Sequence, residues 1–192
     1  MDSPITDPAL WQLVIAGDTE AFGRLYERHA VGVEAFCLRR TADRVAAEEA
    51  TSEVFLELWR RRQRLTVPGD SARPLLLGIA LNVLRHRWRT ERRHRATLRR
   101  VHETFEDRGA AEEPAAETLE ALTRARSIIE RLPRREAETL MLIAWGELSY
   151  EETASVLGIP IGTVRSRLAR ARDRLIAAGT KPLDLVGPTQ EL

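Results

Sequence analysis

Apolar positions along this chain recur every three or four residues rather than alternating, which predicts helices and no strand. Phe22, Leu25, Tyr26, His29, Val33 and Phe36 mark one amphipathic helix. Ala47, Ala50, Val54, Phe55, Leu58 and Trp59 mark a second. The stretch LTVPGDS, Leu65 to Ser71, breaks the rhythm with a proline and a glycine, after which Leu75, Leu76, Ile79, Ala80, Val83, Leu84 and Trp88 resume it. A short helix is expected ahead of these. Asp7 and Pro8 read as its cap and first-turn proline, Gly17 closes it, and Asp18 caps the helix that follows. Further on, Leu119, Leu122, Ile129 and Leu132 keep helical spacing, and Pro133 opens another helix carrying Leu140, Met141 and Ala144.

The most specific local pattern lies between Ser149 and Leu175. In SYEE, Ser149 and Glu152 form a capping box, each side chain satisfying a backbone amide at the helix start. That helix can run only to Leu157, because Gly158 permits a left-handed turn and Pro160 favours a new start. On the second helix Val164, Leu168, Ala171 and Leu175 share one stripe, with Gly162, Ser166, Ala169 and Asp173 opposite. Arg165, Arg167, Arg170, Arg172 and Arg174 flank that outer face. Small side chains bordered by guanidinium forks suit close approach to a DNA major groove, and Gly162, Thr163, Arg165, Ser166 and Arg170 form the expected contact set. A solvated surface helix would carry the same charges. Repressors, activators and initiation factors all use a helix-turn-helix, so the motif alone does not decide function.

Charge changes the picture through its distribution. The 192 residues sum to a net charge of only +1. Yet Arg85 to Arg100 holds eight arginines against one acid, Glu91, and Glu103 to Glu120 holds seven acids against one base, Arg108. The core of the acidic stretch, GAAEEPAAE, has the composition of a solvated tether. The expected architecture is all-α: a helical domain over 1–100, a flexible acidic linker over 101–118, a helix-turn-helix domain over 119–179 and a tail over 180–192. The basic block beside the first domain suits attraction to a nucleic-acid backbone.

Several classes of function are excluded. Cys37 is the only cysteine, so neither an internal disulfide nor a cysteine zinc cluster can form, and a reducing cytoplasm fits. The apolar run PLLLGIALNVL falls short of the roughly 20 residues a membrane span needs, so no membrane insertion is expected. His29, His86, His94 and His102 lack paired metal spacing with acids, no glycine-rich phosphate loop is present, and Cys37 sits in an apolar stretch that suits a buried thiol. No catalytic residue, metal or cofactor is expected.

LSYEETASVLGIPIGTVRSRLARAR, with Leu132 and Pro133 ahead of it, closely resembles the fourth conserved region of bacterial RNA polymerase sigma factors. AGDTEAFGRLYERH, AAEEATSEVFLELW and LLLGIALNVLRHRWR resemble successive parts of the second region, in order and at the right separations. Nearly the whole chain is thus similar to the small extracytoplasmic-function (ECF) group.

That resemblance implies a promoter-specificity factor that catalyses no bond change itself. Its partners would be core RNA polymerase, promoter DNA and an anti-sigma factor. The first domain would bind the polymerase clamp and open the minus-ten element; the second would read the minus-thirty-five element. The clamp-binding residues would be Glu49, Ser52 and Glu53, with Ser52 replacing the usual glutamine, and Leu58 and Trp59 serving the core first and contact second. The loop from Leu65 to Ser71 would hold an extruded base. Asn82, Arg85 and Arg89 would meet the minus-ten strand, beside two departures from the family pattern, Leu75 for tryptophan and His86 for aspartate. The competing reading is an autonomous helix-turn-helix regulator binding an operator as a dimer, which explains residues 149–175 equally well but leaves the helices over 18–95 without a role.

Overall fold

The structure, a computed structural model, describes residues 5–98 and 116–178. Among them lie eight α-helices and no strand: α1 (Asp7–Ile15), α2 (Thr19–Thr41), α3 (Arg44–Arg61), α4 (Arg73–Leu98), α5 (Ala116–Arg131), α6 (Arg134–Ala144), α7 (Tyr150–Leu157) and α8 (Ile161–Ala177). Most of the linker expected over 101–118, together with Arg99, Arg100 and the tail over 180–192, falls outside the described residues; only Ala116 to Thr118 of that linker are described, as the start of α5.

The first half is built around α2. Asp18 caps this helix, its carboxylate accepting from the amides of Glu20 and Ala21, and Asp43 caps α3 through the Ala46 amide. Their apolar stripes meet: Leu25, Val33, Phe36 and Cys37 pack with Ala50, Val54, Phe55 and Leu58, all buried. Phe22 closes one end, edge-on to Trp59 with ring centroids 5.1 Å apart. Helix α4 completes the bundle through Leu76, Ile79, Ala80 and Val83. Full burial of each large side chain contributes about 1.5–3 kcal/mol, so this seam, rather than helix propensity, holds the half together.

One expected cap is corrected. Thr6 occupies the N-cap of α1, and Asp7 lies inside the helix with its carboxylate buried and turned toward α2 and the start of α4. The reason is electrostatic: Arg28, His29 and the Ala72 amide offer it stronger partners than its own helix does.

The second half places α8 across α6 and α7. Ser149 and Glu152 form the capping box on α7, with contacts of 3.1 and 2.8 Å. Gly158 ends that helix at φ 62°, and Ile159 donates back to the Ala154 carbonyl at 3.0 Å. Helix α8 then begins at Ile161.

The two halves share one continuous apolar core. Gly146 approaches α4 so closely that a Cβ there would stand 2.7 Å from Leu77 Cδ1 and 2.6 Å from the Leu142 carbonyl oxygen. A Cβ on Gly78 would stand 3.2 Å from Val156 Cγ1. Polar bonds rim this contact: Arg39 to the Trp145 carbonyl, Arg126 to the Thr41 carbonyl, and Arg73 to Glu147.

Candidate nucleic-acid and polymerase interface

Helix α8 carries the candidate duplex-reading face. Val164, Leu168, Ala171 and Leu175 are buried, which turns Gly162, Arg165, Ser166, Ala169, Arg170 and Asp173 outward. A Cβ on Gly162 would meet nothing within 4 Å, so this end of the helix is open to close approach. Thr163 is half-buried, its amide donating to the Pro160 carbonyl at 2.8 Å while its own carbonyl accepts from Ser166 Oγ at 3.1 Å.

Two of the five arginines of this helix have a carboxylate partner. Arg170 and Arg174 lean back onto α6, where Glu136 lies 3.5 and 3.0 Å from their Nε atoms. Among the described residues Arg165 forms no ion pair and is exposed. A guanidinium beside a buried carboxylate has part of its charge answered within the protein, so Arg165 is the stronger candidate for a base edge or phosphate.

The candidate polymerase-binding residues lie on one side of α3. Glu49 and Ser52 are exposed and Glu53 half-exposed, at the three- and four-residue spacing that aligns them. Ser52 Oγ donates to the Glu48 carbonyl at 3.0 Å, so its hydroxyl is turned back along the helix. Glu49 pairs with Arg87 of α4, whose other nitrogen donates to the Ala46 carbonyl at 3.1 Å. Leu56 continues this side of the helix and is 52% exposed. Leu58 and Trp59, expected in the core first and in contact second, are core residues here: Leu58 is fully buried, while Trp59 packs on Phe22 and carries Arg62 4.2 Å above its ring. The available signal for Leu56 was its position three residues after Glu53.

On α4 the candidate strand-binding residues form a network. Asn82 is exposed, and its Oδ1 accepts from Arg85 Nη1 at 2.7 Å. Arg85 reaches across to α6 and binds Glu138 with both ends of its fork, each contact 2.7 Å. Arg134 Nε adds a third bond to the same carboxylate at 2.8 Å. Burial alone would raise the Glu138 carboxyl, but the hydrogen bonds from Arg85 and Arg134 outweigh it and hold the pKa below the ordinary value. Arg89 lies further along α4, where its side chain is outside the described residues.

Other chemistry is sparse. Among the described residues no group of histidine, cysteine or acidic side chains is arranged to hold a metal. Cys37 is buried, and desolvation pushes its thiol up to about 12, which makes it a poor nucleophile. No described helix is long and apolar enough to cross a membrane.

Comparisons with known proteins identify the family. Residues 25–94 match sigma-70 region 2 and residues 122–175 match sigma-70 region 4. The ECF RNA polymerase sigma factor SigC of Mycobacterium tuberculosis is 35% identical over 142 residues, 74% of this chain and 74% of SigC. The solved structure of CnrH in complex with the cytosolic domain of CnrY superposes with a TM-score of 0.66 at 26% identity, covering 90% of this chain and 96% of CnrH. Sigma factor RpoE of Bartonella quintana, crystallised with the anti-sigma factor NepR, shares the fold with a TM-score of 0.60 at 21% identity, covering 82% and 96% of the two chains. A lone helix-turn-helix regulator would not carry the first of these two regions. With both regions present in order, each on the half whose packing positions its candidate residues, the chain belongs to the sigma-70 family of transcription initiation factors, in its ECF group, and is not an enzyme.

Proposed function

We propose that this sigma factor binds core RNA polymerase through the Glu49, Ser52, Glu53 and Leu56 side of α3, reads minus-thirty-five duplex with the outer face of α8, and opens the minus-ten element with α4 and the loop before it. The observation that carries the reading is α8 itself. Its buried stripe fixes which way the helix faces, and what it then presents is an open Gly162 beside Arg165, which forms no ion pair among the described residues. That combination fits a groove floor and its phosphate walls.

Asn82 and Arg85 suit the melted strand by residue type and by their place on one turn of α4. In the packed chain Arg85 is held by Glu138, so contact with DNA requires that pair to break and the two halves to part. Binding to polymerase and to two separated promoter elements supplies the differential affinity such a shift needs. Arg89 would follow along the strand backbone. The partners are core polymerase, promoter DNA and an anti-sigma factor, the last supported by the complexes that similar proteins form, and the site of action is the cytoplasm, where transcription takes place. No cofactor is needed.

Promoter-library transcription with purified core polymerase tests the reading, because it reports activity and sequence preference together. Discrete start sites sharing two upstream elements are expected. Tight operator binding by the free chain, with no retention on core polymerase, would reject it.

A further inference from the structure

Helix α1 is bound to both ends of the connection between α3 and α4. At its near end, Trp11, only 2% exposed, donates from Nε1 to the Leu65 carbonyl at 3.3 Å. At the far end, Asp7, 3% exposed, accepts the Ala72 amide at 2.7 Å and lies 3.4 Å from Ser71 Oγ. Ser71 in turn caps the Arg73 amide at 3.1 Å. From α2, Arg28 and His29 reach the same carboxylate at 2.5 and 2.6 Å. Arg28 also donates to the Ile5 carbonyl at 2.9 Å, closing the start of α1 onto the cluster.

A carboxylate this enclosed is costly to bury unless its partners are well placed, and removing one partner leaves the others unsatisfied. Leu10, Trp11 and Val14 in the core, with Arg28 and His29 on the carboxylate, already hold α1 against α2. The bonds to Ala72 and Ser71 act on the loop instead, and among the described residues Trp11 has no hydrogen-bond partner outside the loop. Between the two anchors, Val67 packs inward while Thr66, Pro68, Gly69 and Asp70 stand exposed, Gly69 with φ of 71°. A loop with two fixed ends and a projecting tip has little conformational freedom left to lose when it engages a ligand.

We propose that Asp7 and Trp11 are positioning residues for strand capture: α1 fixes the tip from Thr66 to Asp70 in the shape that accepts an extruded promoter base. The proposal rests on the assignment of that loop to the melted strand made above. Neither residue touches DNA. Each acts through backbone atoms of the loop, so their loss blurs the fit of the strand rather than removing a contact to it.

The test uses the full chain with core polymerase and three variants: Asp7→Asn, which keeps volume and an acceptor but loses charge; Trp11→Phe, which keeps apolar bulk but loses the donor; and a chain with residues 66–70 replaced by glycine and serine. The probe is a single-stranded oligonucleotide spanning the segment that wild-type holoenzyme renders permanganate-reactive, together with versions abasic at each position. Asp7→Asn and Trp11→Phe are expected to weaken strand binding about tenfold or more and to flatten the penalty for the abasic site, while core retention and duplex binding stay within about twofold. Unchanged strand binding in both variants overturns the proposal, as does an equal fall in strand, duplex and core binding, which marks general loss of folding. If the loop-replaced chain holds the strand as wild type does, the loop assignment itself falls. If that chain fails while Asp7→Asn and Trp11→Phe succeed, only the role of α1 falls.

Discussion

Arg165 and Arg170 differ by five positions on one helix, and their surroundings separate them. Arg165 has no ion-pair partner among the described residues, whereas Arg170 sits beside Glu136. Arg165→Ala is therefore expected to cost about 1–3 kcal/mol of promoter-duplex binding and to relax preference at one base position; Arg170→Ala should cost less. Binding titrations on a set of single-base promoter variants decide the order, and equal losses would contradict it. Asp7 gives a second prediction at this scale. Burial raises its carboxyl, but the Ala72 amide, Arg28 and His29 bring the pKa below the ordinary value. A depressed carboxyl contributes stability that is present above its unfolded pKa, near 3.9, and is lost as pH falls through the folded value. Thermal unfolding should thus show wild type exceeding Asp7→Asn near neutrality, with the gap closing below about pH 4.

At the scale of elements, local chemistry was legible where local chemistry decides. Ser149, Glu152, Gly158 and Pro160 write the helix, turn and helix of the second half in adjacent residues, and the buried stripe of α8 follows from spacing alone. Because the Ser149 hydroxyl satisfies the Glu152 amide, Ser149→Ala is expected to destabilise the second half by about 1 kcal/mol; urea unfolding measures it, and an unchanged midpoint would show that the cap is redundant. Asp7 shows the limit. Next to Pro8 it has every local feature of a cap, yet its partners lie 21, 22 and 65 positions away, and no nearby residue announces them. Leu56 falls off the stripe of Ala47, Ala50, Val54, Phe55, Leu58 and Trp59, so its exposure follows from spacing, but no neighbouring residue links it to Glu49, Ser52 and Glu53.

Across the whole molecule, sequence separation hid the contact that governs the candidate strand-binding surface. Arg85 and Glu138 stand 53 positions apart, on either side of the acidic stretch, and nothing in their immediate neighbours pairs them. Glu138→Gln removes the negative charge and leaves one acceptor oxygen where Arg85 and Arg134 now share two, and should loosen the contact between the halves. Dyes at exposed Val31 and Ile176, 78% and 57% accessible, report the change: energy transfer is expected to drop on Glu138→Gln and to drop further when core polymerase binds. Transfer unaltered by polymerase would mean that the packed form is also the working form. In that event Arg85 could not leave Glu138 for DNA.

The most direct measurement is initiation by core polymerase with wild-type protein, Arg165→Ala and Asn82→Ala on one promoter, scored for duplex protection upstream and permanganate reactivity near the start. Wild type should protect and melt; Arg165→Ala should lose upstream protection first; Asn82→Ala should keep protection and melt poorly. Melting and protection that fail together in both variants, or survive in both, would contradict the division of labour between α8 and α4.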